Sequence, residues 1–306
     1  MMHLAAFVIT FNRPKILRET ILSLLKQTRV PEVILVVDNG NAEQTEAVLC
    51  DFDRSRVLHH HLGDNPGCAA GEAHGLHWLS EQGYEWIYGV DDDDPPATND
   101  TVERLLRVIA CKGNEPDVAG VAAFGTHFDW SKGETKRLPD EALQGIVEVD
   151  TFTGNSQYIL RRDMIKKVGL PNPNLFIDFE DAEYFLRIRQ AGYRLLVDGD
   201  LMRDYRAQSG RLNMEQKRLP KLRKIPSPWR RYYSTRNFIY AMRNTFHRPD
   251  LARREALKSL ARSIYYLRYG LKVGAAFSAF QLRGVLDGYR GRMGRTVLPR
   301  HKHNNG

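Results

Sequence analysis

Four short strand-like runs, Leu4–Thr10, Val33–Val37, Val57–His60 and Trp86–Val90, all but the His-containing third largely apolar, open the chain, each separated from the next by a segment of helical character. Continuous rather than alternating apolar residues suit strands buried on both faces. Between the first two runs, Leu17, Ile21, Leu24 and Leu25 recur at helical spacing as far as about Gln27, with Pro14 in the first turn and Asn12 as the expected N-cap. Further helices are predicted over Glu43–Leu49 and Ala70–Gln82. Strands alternating with helices imply a sheet covered on both faces, and such sheets bind ligands at the carboxyl ends of their strands. Thr10, Asp38 and Asp91 each stand at such an end and are expected to converge.

The rest is less regular. Val118–Phe124, Val147–Phe152, Gln157–Leu160 and Leu195–Val197 read as strands, and Ala182–Ala191 as a helix stopped by Gly192. Residues 207–228 are polar, basic and Pro-containing, which predicts a mobile linker. Helical segments are expected near Trp229–Arg243, Leu251–Tyr269 and Ala275–Tyr289, and a disordered tail over His301–Gly306.

Charge divides the chain unevenly. The net charge of +8 over 306 residues conceals 20 Lys and Arg against 3 Asp and Glu in residues 221–306, leaving 25 against 34 before them. The acidic part could hold a cation, and the basic part should meet an anionic partner. A hydrophobic content of 42% excludes a disordered chain. Cys50, Cys68 and Cys111 are too scattered for a disulfide framework or a Cys-type zinc site, and fit a reducing compartment. The first residues lack the basic start and apolar length of a signal peptide. No uncharged apolar stretch reaches the about 18 residues of a membrane span.

Asp91-Asp92-Asp93-Asp94 directly follows the fourth apolar run. Adjacent carboxylates repel one another, and a hard divalent cation such as Mg²⁺ or Mn²⁺ would compensate them. A second acidic group, Asp178, Glu180 and Asp181, precedes a helix; capping explains one of these acids but not the whole set. An Asp here could act as a base on a hydroxyl that becomes acidic during attack. Asn65-Pro66-Gly67-Cys68-Ala69-Ala70-Gly71 brings small residues to a helix start, where a ligand's phosphate could approach. His59-His60-His61 cannot all face one metal ion, since neighbouring strand residues point to opposite faces. Neither GxGxxG nor GxxxxGK[ST] is present, which removes the dinucleotide and P-loop phosphate cradles.

Taken in order, these segments resemble the family 2 glycosyltransferases of GT-A fold over roughly residues 4–205. Val8–Pro14 resembles the family's opening strand and turn, Val36-Val37-Asp38-Asn39 its second strand end, and Asn65-Pro66-Gly67 with Ala70-Gly71 its Asn-x-Gly-x-x-x-Gly segment. Asp91-Asp92-Asp93 stands where its DxD-type motif binds metal and sugar diphosphate, and Glu180-Asp181 matches its late acidic pair. Three adjacent Asp followed by Phe-Ile-x-aromatic-acid-Asp-Ala is similar to bacterial galactofuranosyl- and rhamnosyltransferases of cell-surface glycan synthesis. Tyr232-Tyr233-x-x-Arg236-Asn237 resembles members acting on lipid-linked acceptors. One departure is Arg203, standing where many members place a metal-binding His; Asp204 could substitute.

The resemblance implies an α/β, Rossmann-like GT-A domain with a mixed sheet over residues 1–206, its nucleotide-binding half in 1–94 and its acceptor half in 95–206, followed by the linker and a basic helical region over 229–306. It implies an inverting, metal-dependent hexosyl transfer, with Asp181 as base and Glu180 beside it. Mn²⁺ or Mg²⁺ would sit on Asp91 and Asp93. A UDP- or dTDP-sugar would be bound by Thr10, Phe11, Asn12, Arg13, Asp38, Asn39, Asn65, Gly67, Gly71 and Asp92. The acceptor is expected to be polyprenyl-diphosphate-linked or a glycan. Arg254, Lys258 and Arg262 beside Leu257, Leu260, Ile264 and Tyr265 suit an anionic membrane surface, and so a cytoplasmic enzyme peripheral on the inner face of the plasma membrane. Competing readings are a sugar nucleotidyltransferase, whose triphosphate loop is not seen, a relative that binds nucleotide without transfer, and a non-enzymatic binder of nucleic acid or another anion stacking bases on Tyr232 and Tyr233. The acidic first part argues against a nucleic-acid partner.

Overall fold

A computed structural model describes residues 2–112, 115–152, 157–213 and 227–298. The expected linker falls mostly, and the expected tail wholly, outside the described residues. The chain divides into two compact units: Met1–Asn172 with Asp181–Leu219, and Pro173–Glu180 with Pro220–Gly306.

The first unit begins with β1 (Leu4–Thr10), α1 (Pro14–Leu25), β2 (Ile34–Asp38), α2 (Ala42–Leu49), β3 (Val57–His61), α3 (Cys68–Glu81) and β4 (Trp86–Asp91). These strands pair in parallel. There follow α4 (Thr101–Lys112), β5 (Val118–Ala122), β6 (Gly125–Asp129), β7 (Glu134–Lys136), β8 (Ile146–Val149), β9 (Thr151–Phe152), β10 (Tyr158–Arg161), α5 (Arg162–Val168), α6 (Glu180–Gln190), β11 (Arg194–Asp198) and α7 (Gly199–Gln208). The main sheet has eight strands in the order β3-β2-β1-β4-β10-β5-β11-β8, and β7-β6-β9 form a smaller one. β10 runs antiparallel to both neighbours and β8 antiparallel to β11, so the sheet is mixed.

Both faces of the sheet are covered. Ala6 and Val8 of β1 meet Leu17, Ile21 and Leu24 of α1 and Leu105 and Ile109 of α4 on one side. Ala5 and Phe7 meet Leu76 and Leu79 of α3 on the other. Gly75 allows that closeness, because a Cβ there would stand 2.5 Å from the Phe7 ring. From sequence, no helix is assigned to α4, although Val102, Leu105, Leu106 and Ile109 carry its spacing. The expected cap of α1 is also corrected. Asn12 is left-handed (φ 55°), and its side chain accepts instead from the Asn41 N–H at 2.8 Å, tying the β1 exit to the start of α2.

The second unit is built on α8 (Pro228–Asn244), α9 (Pro249–Tyr266) and α10 (Leu271–Arg290). Arg236 is fully buried and donates to the carbonyls of Gly294 at 2.7 Å and Leu175 at 2.9 Å. Asn237 Nδ2 lies within hydrogen-bond distance of the carbonyls of Leu175, Ile177 and Asp178. Those bonds explain why Pro173–Glu180, expected in the acceptor half, clusters with the C-terminal helices. Tyr232 and Tyr233 are buried as well, their hydroxyls donating to Asp287 and to the Val297 carbonyl, so neither is a platform for stacking bases.

Candidate active site

Strand register assembles the site. Thr10 pairs with Asp38 across β1 and β2, and Ile9 pairs with Asp91 across β1 and β4. The Asp92 N–H donates to the Ile9 carbonyl at 3.1 Å, and the Asn39 N–H to the Thr10 carbonyl at 2.9 Å. Three strand ends distant in sequence therefore form one ledge, at the carboxyl edge where parallel sheets take ligands.

The four aspartates do different things. Asp92 is buried and turned inward, accepting from Thr10 Oγ1 at 2.7 Å and Arg13 Nη1 at 2.9 Å, while its carbonyl accepts from Thr20 Oγ1 at 2.6 Å. Both carboxylate oxygens are thus engaged, so that Asp92 fastens the strand end and positions Arg13. Burial raises its pKa, against the opposing effects of Thr10 and Arg13. Asp93 is exposed, 2.5 Å from the same guanidinium. Asp94 is held by Gln157, whose Nε2 reaches its carbonyl at 3.1 Å and its carboxylate at 3.2 Å. Gln157 is in turn fixed by the Tyr205 hydroxyl from α7.

Asp91 differs from the other three. Burial, and then repulsion from Asp93, Asp92, Asp181 and Asp94, push its carboxyl up to about 7. Asp181, at the start of α6, is thereby within electrostatic reach of the β4 end. It is half-buried, and its Oδ1 accepts from the Ala182 N–H at 2.6 Å. Glu180 beside it is buried. The loop leading into this pair holds Phe176, Asp178 and Phe179 at φ 67°, 65° and 71°. Left-handed backbone at such residues costs roughly 1–3 kcal/mol each and persists only where surroundings enforce it. Asn237's bonds to that loop supply the enforcement.

Glu72 of α3 has no counterpart among the residues singled out from sequence. It is buried and accepts from the Tyr158 hydroxyl of β10. Burial, with repulsion from Asp181, Asp91 and Glu183, raises its carboxyl to about 8, so near neutral pH it stays mostly protonated. A neutral acid behind Asp91 and Asp181 adds no third negative charge to them. Its sequence signal is slight: one acid between Gly71 and Ala73 in a run of small residues.

On the nucleotide side, Asp38 is buried, with Oδ1 accepting from the Gly40 N–H at 2.7 Å and Oδ2 lying 3.4 Å from His59 Nε2. Glu46 holds the other ring nitrogen of His59 at 2.7 Å. His60 instead meets His74, and His61 meets the Gly40 carbonyl. Asn39 donates to the Gly67 carbonyl at 3.0 Å, while its own Oδ1 is buried without a hydrogen-bond partner among the described residues. That acceptor is suited to a ligand's N–H or O–H. Gly67, at φ 100°, needs glycine to enter α3, and Asn65 has φ 28° in the turn before it. Gly71 serves packing: a Cβ would lie 3.0 Å from Ile9 and 3.2 Å from Asn39. Phe11 is exposed beyond β1.

Asp91 and Asp93 supply hard oxygen ligands, and the raised pKa of Asp91 marks a carboxylate that a nearby cation would stabilise. No group of three or more metal-ligating side chains occurs among the described residues. The donor set thus fits a Mg²⁺- or Mn²⁺-type ion that takes one or two carboxylates and completes its shell with phosphate and water. Asp204 is not a free substitute for the missing His. It lies on α7 and pairs with Arg104 at 2.8 Å.

Residues 5–169 match the model of Glycosyl transferase family 2. The chain belongs to that family, and it spans just under two thirds of the length of the galactofuranosyltransferases it matches. It is 26% identical over 208 residues to galactofuranosyltransferase GlfT1 of Mycolicibacterium smegmatis, a match covering 61% of this chain and 65% of that relative's length. It is 23% identical over 300 residues to the dTDP-rhamnosyl transferase RfbF of Shigella flexneri, covering 94% of this chain and 96% of the relative. Among solved structures, S. aureus TarS in complex with UDP-GlcNAc superposes with a TM-score of 0.55 at 16% identity, covering 94% of this chain and 81% of TarS. Mannosyltransferase PcManGT from Pyrobaculum calidifontis, in complex with GDP-Man and Mn²⁺, gives 0.54 at 12% identity, covering 95% and 88%. The fold is the GT-A fold of these transferases.

Proposed function

We propose that this protein transfers galactofuranose or rhamnose, with inversion, from a UDP- or dTDP-sugar to a polyprenyl-diphosphate-linked or glycan acceptor in cell-surface polysaccharide synthesis. The reaction is placed on the cytoplasmic side, at the inner face of the plasma membrane. The observation carrying the reading is the strand register that brings Thr10, Asp38 and Asp91 to one carboxyl edge of the sheet. The relatives' transfer of galactofuranose and rhamnose supports the choice of sugar.

In this reading Asp181 accepts the acceptor hydroxyl's proton as that oxygen bonds to the anomeric carbon. The bond from that carbon to the diphosphate oxygen breaks on the opposite face, so a single displacement inverts the configuration. Asp91 and Asp93 would hold Mn²⁺ or Mg²⁺, which supplies charge neutralisation for the departing diphosphate. Arg13, steadied by Asp92, presents a cation at the same ledge. Asn39 offers its free acceptor to the nucleoside, and Glu180 backs Asp181 in the chain.

The test is Asp181→Asn, with donor binding and turnover measured separately using UDP- and dTDP-sugars, in Mn²⁺ and in EDTA. The kcat for transfer should fall by about 10²–10⁴-fold, the usual contribution of a general base, with donor affinity nearly unchanged. Lost donor affinity with normal turnover of what binds would overturn the role of Asp181. Binding of neither nucleotide sugar would overturn the donor assignment.

A further inference from the structure

The helical unit distributes its apolar side chains in an unusual way. On α9 the buried positions include Ala252, Ser259 and Ser263, whereas the large residues Leu257, Leu260, Ile264 and Tyr265 are exposed. The pattern continues past the helix. Leu257, Leu260 and Ile264 recur at intervals of three and four residues as a stripe on α9, and Leu267 and Leu271 are exposed in the turn after it and at the start of α10. Ile264 is 72% exposed, Leu257 67% and Leu271 80%. Inside, Leu251 is buried and the Tyr266 ring stacks on Phe277 of α10 at 4.0 Å, with glycine at the closest helix contacts. A Cβ on Gly284 or Gly288 of α10 would stand 2.8 Å from the carbonyl oxygens of Tyr232 and Arg236 in α8. α10 approaches α8 through glycine, and Leu257, Leu260 and Ile264 of α9 remain outside.

Cations frame the stripe. Arg253, Arg254, Arg268 and Lys272 are exposed around it, with Lys258 half-buried. Between residues 251 and 290 the only carboxylates are Glu255, which pairs with Arg262 at 2.6 Å, and Asp287, which is buried and accepts from Tyr232. The Arg268 guanidinium lies over the Tyr265 ring at 4.6 Å, a pairing of ring and cation that suits a water–lipid boundary.

We propose that the outward face of α9, with the turn after it and the start of α10, docks on an anionic lipid surface, its leucines in the acyl boundary and its cations among the headgroups. This deepens the membrane-side placement proposed above and rests on it. Charge complementarity selects the occupant. A second copy of the chain would set a face rich in cations against its own image, whereas an anionic lipid surface complements it. Among the described residues no helix is long and apolar enough to cross a membrane, so the face would lie along the surface.

The test is co-sedimentation of the full chain with vesicles of phosphatidylglycerol and phosphatidylcholine, against phosphatidylcholine alone. Binding should require phosphatidylglycerol. It should fall ~10-fold or more in the double variant Leu257→Asp/Ile264→Asp, and measurably in Arg268→Gln/Lys272→Gln. Equal binding by parent and double variant would overturn the proposal. So would absence of binding together with a dimer that the double variant dissociates, the result expected of a self-association face. Donor affinity, measured on the same preparations, checks that each variant is folded. It also reads the transferase proposal separately: donor binding without vesicle binding defeats only the docking surface.

Discussion

The two units differ in what they bury beside their apolar cores. The first puts Leu, Ile, Val and Phe between sheet and helices and leaves its carboxylates crowded at one edge. The second buries an arginine and an asparagine among Tyr232, Tyr233, Ile239, Met242 and Phe277, joins α10 to α8 through glycines, and leaves most leucines of α9 exposed. A core of large apolar side chains derives its stability from area removed from water. A unit held by a buried guanidinium and close helix contacts depends more on completed hydrogen bonds and shape. The first arrangement gives a rigid sheet whose strand ends can hold unfavourable charge. The second releases apolar surface for use outside the fold.

This contrast is open to direct test by unfolding. Leu17→Ala in α1 should cost about 2–5 kcal/mol, the usual result of deleting a fully buried leucine side chain. Arg236→Leu is isolated from that core but should cost about 3 kcal/mol, because the carbonyls of Leu175 and Gly294 lose a charged donor. Urea midpoints of the two variants measure this. A neutral Arg236→Leu would show that the helical unit is an ordinary apolar core and would remove the distinction.

A smaller effect concerns the charge crowding of the first unit. The Glu72 carboxyl is raised to about 8 in the fold from an ordinary value near 4.5. Between those values the folded chain holds a proton that the unfolded chain has released, so stability falls as pH rises through this window and levels off above about 8. Glu72→Gln keeps a group able to meet Tyr158 while removing the titration. It should be more stable than the parent at pH ~8, by on the order of a few kcal/mol, with the advantage gone near pH ~4. Urea unfolding across that range checks the sign, and parallel pH profiles for the two proteins would refute it. If Glu72 also keeps negative charge away from Asp91 and Asp181, the pH dependence of kcat should change with the same substitution.

What could be read from the chain follows from the range of the interactions. β1 to β4 and the acids at their ends are local patterns: uninterrupted apolar runs stopped by polar residues, whose parallel register then determines which ends meet. The mixed sheet could be anticipated only through the family resemblance, because the antiparallel insertion of β10 between β4 and β5 is a non-local pairing. The inward turn of Asp92 depends on Thr10 and Thr20, more than seventy residues earlier. Glu72 and Tyr158 are separated by 86 positions, and no spacing rule connects them. On α9 the periodicity marks two faces but carries no information on which is inward. Hydrophobicity alone favours burying the leucine face, whereas the structure buries Leu251, Ala252, Ser259 and Ser263.

The smallest predicted effect therefore discriminates best between the two ways of packing. If the stripe of α9 is surplus to the fold, Ile264→Ser should alter stability by less than about 0.5 kcal/mol, as substitutions at exposed positions do. The chemically comparable loss at Leu17 is expected to be several times larger. A substantial destabilisation by Ile264→Ser would mean that the stripe is covered by protein in solution, either a second copy or another part of this chain. The dependence of the urea midpoint on protein concentration would separate these, because only a dimer gains stability by mass action. A near-zero effect leaves five large apolar side chains maintained at the surface without any contribution to folding, and their reason must then be something the helices touch.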